Sequence, residues 1–275
     1  MADAIHQEDF MTTHFPVLSR FLGFTRTLVC PQSVNTNRNS GLIKLLACVF
    51  MFIDHAGKML FPQIPEMRLI GRLAFPLFAY GIAVGAVYTR DPIKYLTRIV
   101  LLALISQPLY ALGLDHAPRT MFAVSFAERP LEAIRAFYVY SWQTPSILVS
   151  LALGLCILIA IRRKQWILAL GIYMLCTRFS SNLDYGIGGI RLMILFYALC
   201  EHPALALPVL SAYMISWSGG TGYTFFDHTF GMRIFALPAV VFACLPLRGN
   251  IHLPRWFIYG FYPAHLIVLA ILSRI

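Results

Sequence analysis

Asp54 and His55 stand side by side inside the apolar run LIKLLACVFMFIDHAGKMLF. Ionisable groups at membrane depth are costly and usually face a bundle interior or a wet cavity, so the pair marks a site for chemistry or proton movement. Its plain alternative is the end of a span, where interfacial water solvates both groups. Three further polar clusters interrupt the apolar sequence. Arg72, in IGRLAFPLF, is a fixed cation suited to pairing with Asp54 or to holding a phosphate or carboxylate. Asp184, Tyr185 and Gly186 are followed by Gly188, Gly189 and Arg191, and such glycines allow close backbone approach to a ligand. His265, in FYPAHL, follows Tyr262 and Pro263 on a late apolar run. An interfacial arginine that sets topology and a packed histidine are the plain alternatives for Arg72 and His265.

Acyl transfer to an amine or hydroxyl needs a general base near neutral pH and charge stabilisation for a tetrahedral oxyanion. Histidines and an arginine on one side of a membrane fit that need. They fit a proton-coupled transporter equally well, with Asp, His and Arg as a relay. The chain has no GxSxG nucleophile elbow and no HExxH metalloprotease pattern. The Asp184 cluster lacks the Walker A lysine and Ser/Thr. Cys30, Cys48, Cys156, Cys176, Cys200 and Cys244 form no CxxC pair and read as small hydrophobes, not as a disulfide frame or metal site.

The elements that must position these groups are membrane helices. Of the 275 residues 59% are hydrophobic and 12% charged, with a mean hydropathy of +0.70. A soluble domain carries about 25% charged residues, so the composition points to an all-α, polytopic membrane bundle of about eight to ten spans. The net charge of +10 resides in short basic loops, with no basic face interleaved with aromatics, and nucleic acid is not expected as a partner. Residues 1–40 read as a cytoplasmic or interfacial segment with no signal-peptide pattern, and residues 41–275 as the membrane domain.

The first span is expected from Leu42 to Phe61, ended by Pro62 and Pro65, with a break possible at Gly57. The second carries Pro76 as a kink, and Gly81 and Gly85 at a spacing suited to close helix packing. The connection 113–144 should hold a short interfacial helix in AERPLEAIRAFYVYSW. The runs on either side of Asp184 are short, which implies a broken or re-entrant region. An eighth span is expected from Phe230 to Leu247, and a ninth over WFIYGFYPAHLIVLAILS. Arg90, Lys94 and Arg98 mark one cytoplasmic loop, and Arg162, Arg163 and Lys164 another. Asp54, about 18 Å of helical rise past Leu42, then lies beyond the midplane toward the external face. His55 points to a different part of the helix surface, because sequence neighbours do not face each other on a helix.

Four stretches taken together resemble one family. IDH in the first span, GRLAFPLFA opening the second, DYGIGG in the middle and FYPAHL in the last are similar, in content and order, to TraX proteins. These are inner-membrane proteins of conjugative plasmids and their chromosomal relatives. The resemblance runs from about Leu42 to the C-terminus and carries over Asp54, His55, Arg72, Phe75, Pro76, Tyr185, Gly186, Gly189, Tyr262 and His265. It implies a multi-pass protein of the bacterial inner membrane that moves an acetyl group from acetyl-CoA, as donor substrate, to the amino terminus of a pilin subunit. Within it, His55 is the expected general base, Asp54 its organiser, and His265 the second candidate for base or oxyanion donor. Arg72 is expected to pair with Asp54 or to join Tyr185, Gly186, Gly189 and Tyr262 in binding the donor. A proton-linked transporter and a non-catalytic pilin assembly factor are the alternatives.

Overall fold

The computed structural model describes residues 41–114, 116–217, 222–225, 228–245 and 251–274, with Pro16, Val17 and Ser19. The expected N-terminal interfacial segment otherwise lies outside the described residues. Proline punctuates the chain. It occupies a first-turn position in α2 (Pro65–Gly71), α4 (Pro92–Gly113), α5 (Pro130–Ser141), α9 (Pro203–Ser216) and α10 (Pro238–Cys244). There its missing N–H costs nothing and its fixed φ suits the helix. The other helices are α1 (Gly41–Met59), α3 (Ala74–Tyr88), α6 (Ile147–Arg162), α7 (Trp166–Arg178), α8 (Gly186–Glu201) and α11 (Arg255–Leu272). Three helical stretches are long and apolar enough to cross a membrane: Pro65–Tyr88, Pro92–Gly113 and Arg255–Leu272. Shorter apolar helices include Ile147–Arg162, Trp166–Arg178 and Pro203–Ser216. The polytopic all-α expectation holds, with one addition: β1 (Gly222–Phe225) and β2 (His228–Gly231) form an antiparallel hairpin.

Helix α3 is the hub. It packs on α1, α6, α8 and α10, and is apolar on every side because every side is covered. Leu77, Ala79, Ala83 and Ala86 are fully buried, and Tyr80 meets Phe196 of α8 edge-on at 5.6 Å. Two polar clamps fix the bundle. Gln107 on α4 is buried and spends its whole amide: Nε2 donates to Ser141 O (2.7 Å) and Thr144 O (2.9 Å), while Oε1 accepts from Ser146 N (2.9 Å). It thereby ties the end of α5 to the start of α6. Arg162, ending α6, donates to Ala86 O (2.8 Å) and Thr89 O (2.9 Å) at the C-terminus of α3. A cation there satisfies orphan carbonyls and the helix dipole. It also places the Arg90 loop and the Arg162 loop at one end of the molecule, as their charge requires.

Four local expectations change. Helix α1 runs unbroken through Gly57, because Gly57 admits the Met67 side chain of α2 (2.7 Å from a built Cβ) instead of breaking. The bend of the second span falls at Arg72-Leu73, between α2 and α3, leaving Pro76 in the first turn of α3. Gly85 does permit close packing, with Tyr95 2.7 Å from a built Cβ, whereas Gly81 has nothing within 4 Å. The expected eighth span is not one helix: β2 is followed by a 3-10 turn (Met232–Ala236) and then α10.

The expected interfacial helix is present as α5, with Leu131, Ile134 and Val139 exposed. The short runs flanking Asp184 are α7 and α8. The 13 residues of α7 rise only about 20 Å, less than a hydrocarbon core of about 30 Å. Gly186 turns the chain at the start of α8 with φ +56°, a conformation costly for other L residues, and Ser180 Oγ accepts from Ile187 N at 2.8 Å.

Candidate active site

A cavity of about 650 Å³ lies along α1 and α3. At one end it is lined by Asp54, His55, Lys58, Arg68, Arg72, Tyr110, His116, Asp184 and Tyr185, and at the other by Lys44, Tyr88, Thr89 and Arg90. The wall between them is apolar, with Ala47, Met51, Leu77 and Leu151.

Helical geometry splits the Asp54-His55 pair between two partners. Asp54 turns toward α2, where Arg68 Nη1 donates to its Oδ2 (2.9 Å) and its backbone O (3.1 Å). Gly71 permits this approach, since a Cβ there would collide with Asp54 Cβ. The ion pair expected between Asp54 and Arg72 therefore goes to Arg68. Asp54 Oδ1 remains buried without a hydrogen bond among the described residues. Both arginines sit one turn apart, so they share a face of the chain as it approaches α1. That spacing was the available signal for Arg68.

His55 turns toward α11. Its Nδ1 lies 2.8 Å from His265 Nε2, with the two rings stacked at 5.0 Å and 13°. His265 is 4% exposed, and its Nδ1 lies 2.8 Å from Phe261 O. A carbonyl only accepts, so His265 Nδ1 carries a proton and donates. With both rings neutral, His265 Nε2 must then accept from the His55 Nδ1–H. The lone pair of His55 is left on Nε2, which has no hydrogen-bond partner among the described residues. His55 lines the cavity and His265 does not.

Arg72 Nη1 donates to Tyr185 Oη at 3.4 Å, a long contact, and Arg72 Nε is buried without a partner among the described residues. Asp184 faces Arg72 and the Tyr110 hydroxyl. Lys58 Nζ donates to Leu114 O (2.7 Å) and approaches His116 Nε2 (3.4 Å). Lys58, Arg68 and Arg72 against Asp54 and Asp184 are three cations to two carboxylates, a surplus of one positive charge at this end. An aromatic platform backs Arg72: Phe75 stacks on Tyr185 at 3.9 Å and 8°, Trp217 lies tilted against both, and Arg233 sits 5.2 Å from the Trp217 ring.

The chain thus brings Asp54, His55, Arg72, Tyr185 and Tyr262 to the cavity wall, with His265 directly behind His55. Tyr262 is buried with its ring edge toward His265 at 5.6 Å. Gly186 and Gly189 do not line the cavity. They belong to the first turn of α8, where Gly189 makes room for Phe75 (2.8 Å from a built Cβ) and the Tyr185 Cβ (2.9 Å). Lys58, Arg68, Tyr110 and His116 are additions. Lys58 and Arg68 read in sequence as ordinary basic residues near a loop, and His116 follows a loop residue with no motif around it.

An uncharacterized protein of Rickettsia prowazekii is 44% identical over 46 residues, 17% of this chain and 18% of that protein. A protein of Dichelobacter nodosus named "Probable fimbrial assembly protein FimC, serogroup H1" is 26% identical over 128 residues, 45% of this chain and 47% of that protein. This chain therefore spans less than half the length of either relative in the matched stretches. No solved structure matches it. The family profile described as TraX protein matches residues 39–273, across the described residues of the cavity wall, and the chain belongs to the TraX family.

Proposed function

We propose that the chain is a membrane-embedded acetyltransferase that takes the acetyl group of acetyl-CoA and places it on the amino terminus of a pilin subunit, in the bacterial inner membrane. The observation that carries the chemistry is the file Phe261 O, His265, His55, which leaves a basic nitrogen of His55 for the cavity. The fimbrial name of the Dichelobacter relative and the family resemblance support the pilin acceptor.

In this mechanism His55 Nε2 takes a proton from the acceptor amine as its nitrogen attacks the thioester carbonyl. An N–C bond forms and the carbonyl oxygen becomes an oxyanion. Arg72, which lines the cavity, donates to that oxyanion. Collapse breaks the C–S bond, and the departing thiolate takes the proton back from His55, giving CoA thiol and an acetylated amine. His265 is a positioning residue: it holds the His55 tautomer and shares the charge that His55 gains. Asp54, locked by Arg68, balances the positive charges around the reacting centre.

Mass analysis of the cognate pilin from cells with and without the gene tests the reading. An N-terminal acetyl group present only with the gene is the expected result. The same acetyl group in both strains would overturn it.

A further inference from the structure

The polar end accounts for the chemistry but not for the far end of the cavity. There Lys44 on α1 and Arg90 beyond α3 line the same space. Neither has a hydrogen-bond or ion-pair partner among the described residues, whereas Arg162 close by donates from Nη1 to two carbonyls at the end of α3. Lys44 lies 11 residues before His55, about 16 Å along α1, and Arg72 and Arg90 flank the two ends of α3, whose 15 residues rise about 22 Å. A ligand that touches both ends must be long and narrow. Midway, nine residues from each arginine, stands Gly81. It lines the cavity, and a Cβ there would meet nothing within 4 Å. A glycine whose missing side chain is not filled by a neighbouring helix keeps open a passage.

We infer that the Lys44–Arg90 mouth is an anion-binding site for the phosphate groups of an elongated acyl carrier, and that the carrier's flexible arm passes Gly81 to present its acyl end to His55. The inference rests on the proposed transfer for the identity of the acyl end, but the anion site and the passage stand on the cavity alone. The donor's charged head then stays at the end that the basic loops mark as cytoplasmic, and Arg72, at the opposite end, is free of it. This departs from the sequence expectation that Arg72 binds the donor's anionic groups. Cations held apart from counter-charges suit phosphate, which accepts several charge-assisted hydrogen bonds.

Two donors with the same arm separate the parts of the idea: acetyl-CoA, and S-acetylpantetheine, which lacks the nucleotide and its phosphates. With the full chain in neutral phosphatidylcholine nanodiscs, Lys44→Glu/Arg90→Glu should cut the preference for acetyl-CoA over S-acetylpantetheine by about ten-fold or more, the loss of one or two charge-assisted contacts. The control Arg163→Glu, at the same end but off the cavity, should keep the wild-type preference. Gly81→Leu should slow transfer from both donors. An unchanged preference in the double variant, or wild-type rates in Gly81→Leu, overturns the inference. Calorimetric titration with CoA alone separates it from the transfer reading. If CoA binds the wild type and not the double variant, the mouth stands even where no pilin is acetylated. If pilin is acetylated yet the double variant binds CoA normally, the mouth falls and the transferase stands. Displacement of CoA by added phosphatidylglycerol would assign the mouth to a lipid headgroup and also overturn it.

Discussion

The two ends of the cavity are built on opposite rules. At the end lined by Asp54 and His55 most polar side chains are tied. Asp54 is held by Arg68, His55 by His265, His265 by Phe261 O, and Lys58 by Leu114 O. At the basic mouth Lys44 and Arg90 are tied to nothing among the described residues. Tied groups lose their rotamer freedom during folding, before any ligand arrives, and hold a reacting atom in place. Free cations adapt to an anion and release it. Under the proposed transfer, the difference separates a place for bond-making from a place for capture.

That contrast can be broken experimentally, and the largest effect is expected where one atom does the work. His55→Ala should lower transfer by about 10²–10⁴-fold with normal membrane levels, read by the mass of the acceptor. Activity near wild type would remove His55 from the chemistry. Next in size, Arg68→Ala should destabilise the fold by about 3 kcal/mol, because Asp54, with its side chain only 13% exposed, loses its ion-pair partner among the described residues. Thermal unfolding in detergent checks this, and a melting point equal to the wild type would mean that Asp54 is wetter than the geometry implies. Gly189→Val should cost about 1–3 kcal/mol by pushing Phe75 and Tyr185 apart. It should also slow transfer, since the platform behind Arg72 moves. Smallest of all, Arg90→Ala should change stability by no more than about 0.5 kcal/mol, as an exposed side chain without partners among the described residues. A large loss there would mean that the mouth is structural and would erase the distinction between the ends.

The same contrast governs what was legible in the sequence. The Asp54–His55 end announced itself because charged residues inside apolar runs are costly, and Asp54, His55, Arg72 and Asp184 each broke such a run. The split of Asp54 from His55 followed from helical geometry alone. The choice of Arg68 over Arg72 did not, since it depends on how α2 folds back against α1 and on the space left by Gly71. Gln107 escaped notice because one amide in a span carries no pattern, and its three bonds come from a loop 34 to 39 residues away. The mouth was unreadable for another reason. Lys44 and Arg90 lie where basic residues are expected for topology, and only the shape of the bundle shows that they face one cavity. Gly81 looked like a packing glycine because the spacing it shares with Gly85 does not say which of the two meets a neighbour.

Under the proposed transfer, the shortness of α7 sets a length requirement on the acceptor. If α7 begins at the basic surface, the turn after it stops about 10 Å below the far surface, and an acceptor must reach down that distance before its nitrogen meets His55. An extended chain covers about 3.4 Å per residue, so roughly three residues must be free of their own fold to make the descent. A folded domain can offer such a thread at its terminus but not on its face. Selection among amines would then be made by slack: a protein with a loose amino end fits the shaft, and one whose first residues are pinned is excluded whatever their identity.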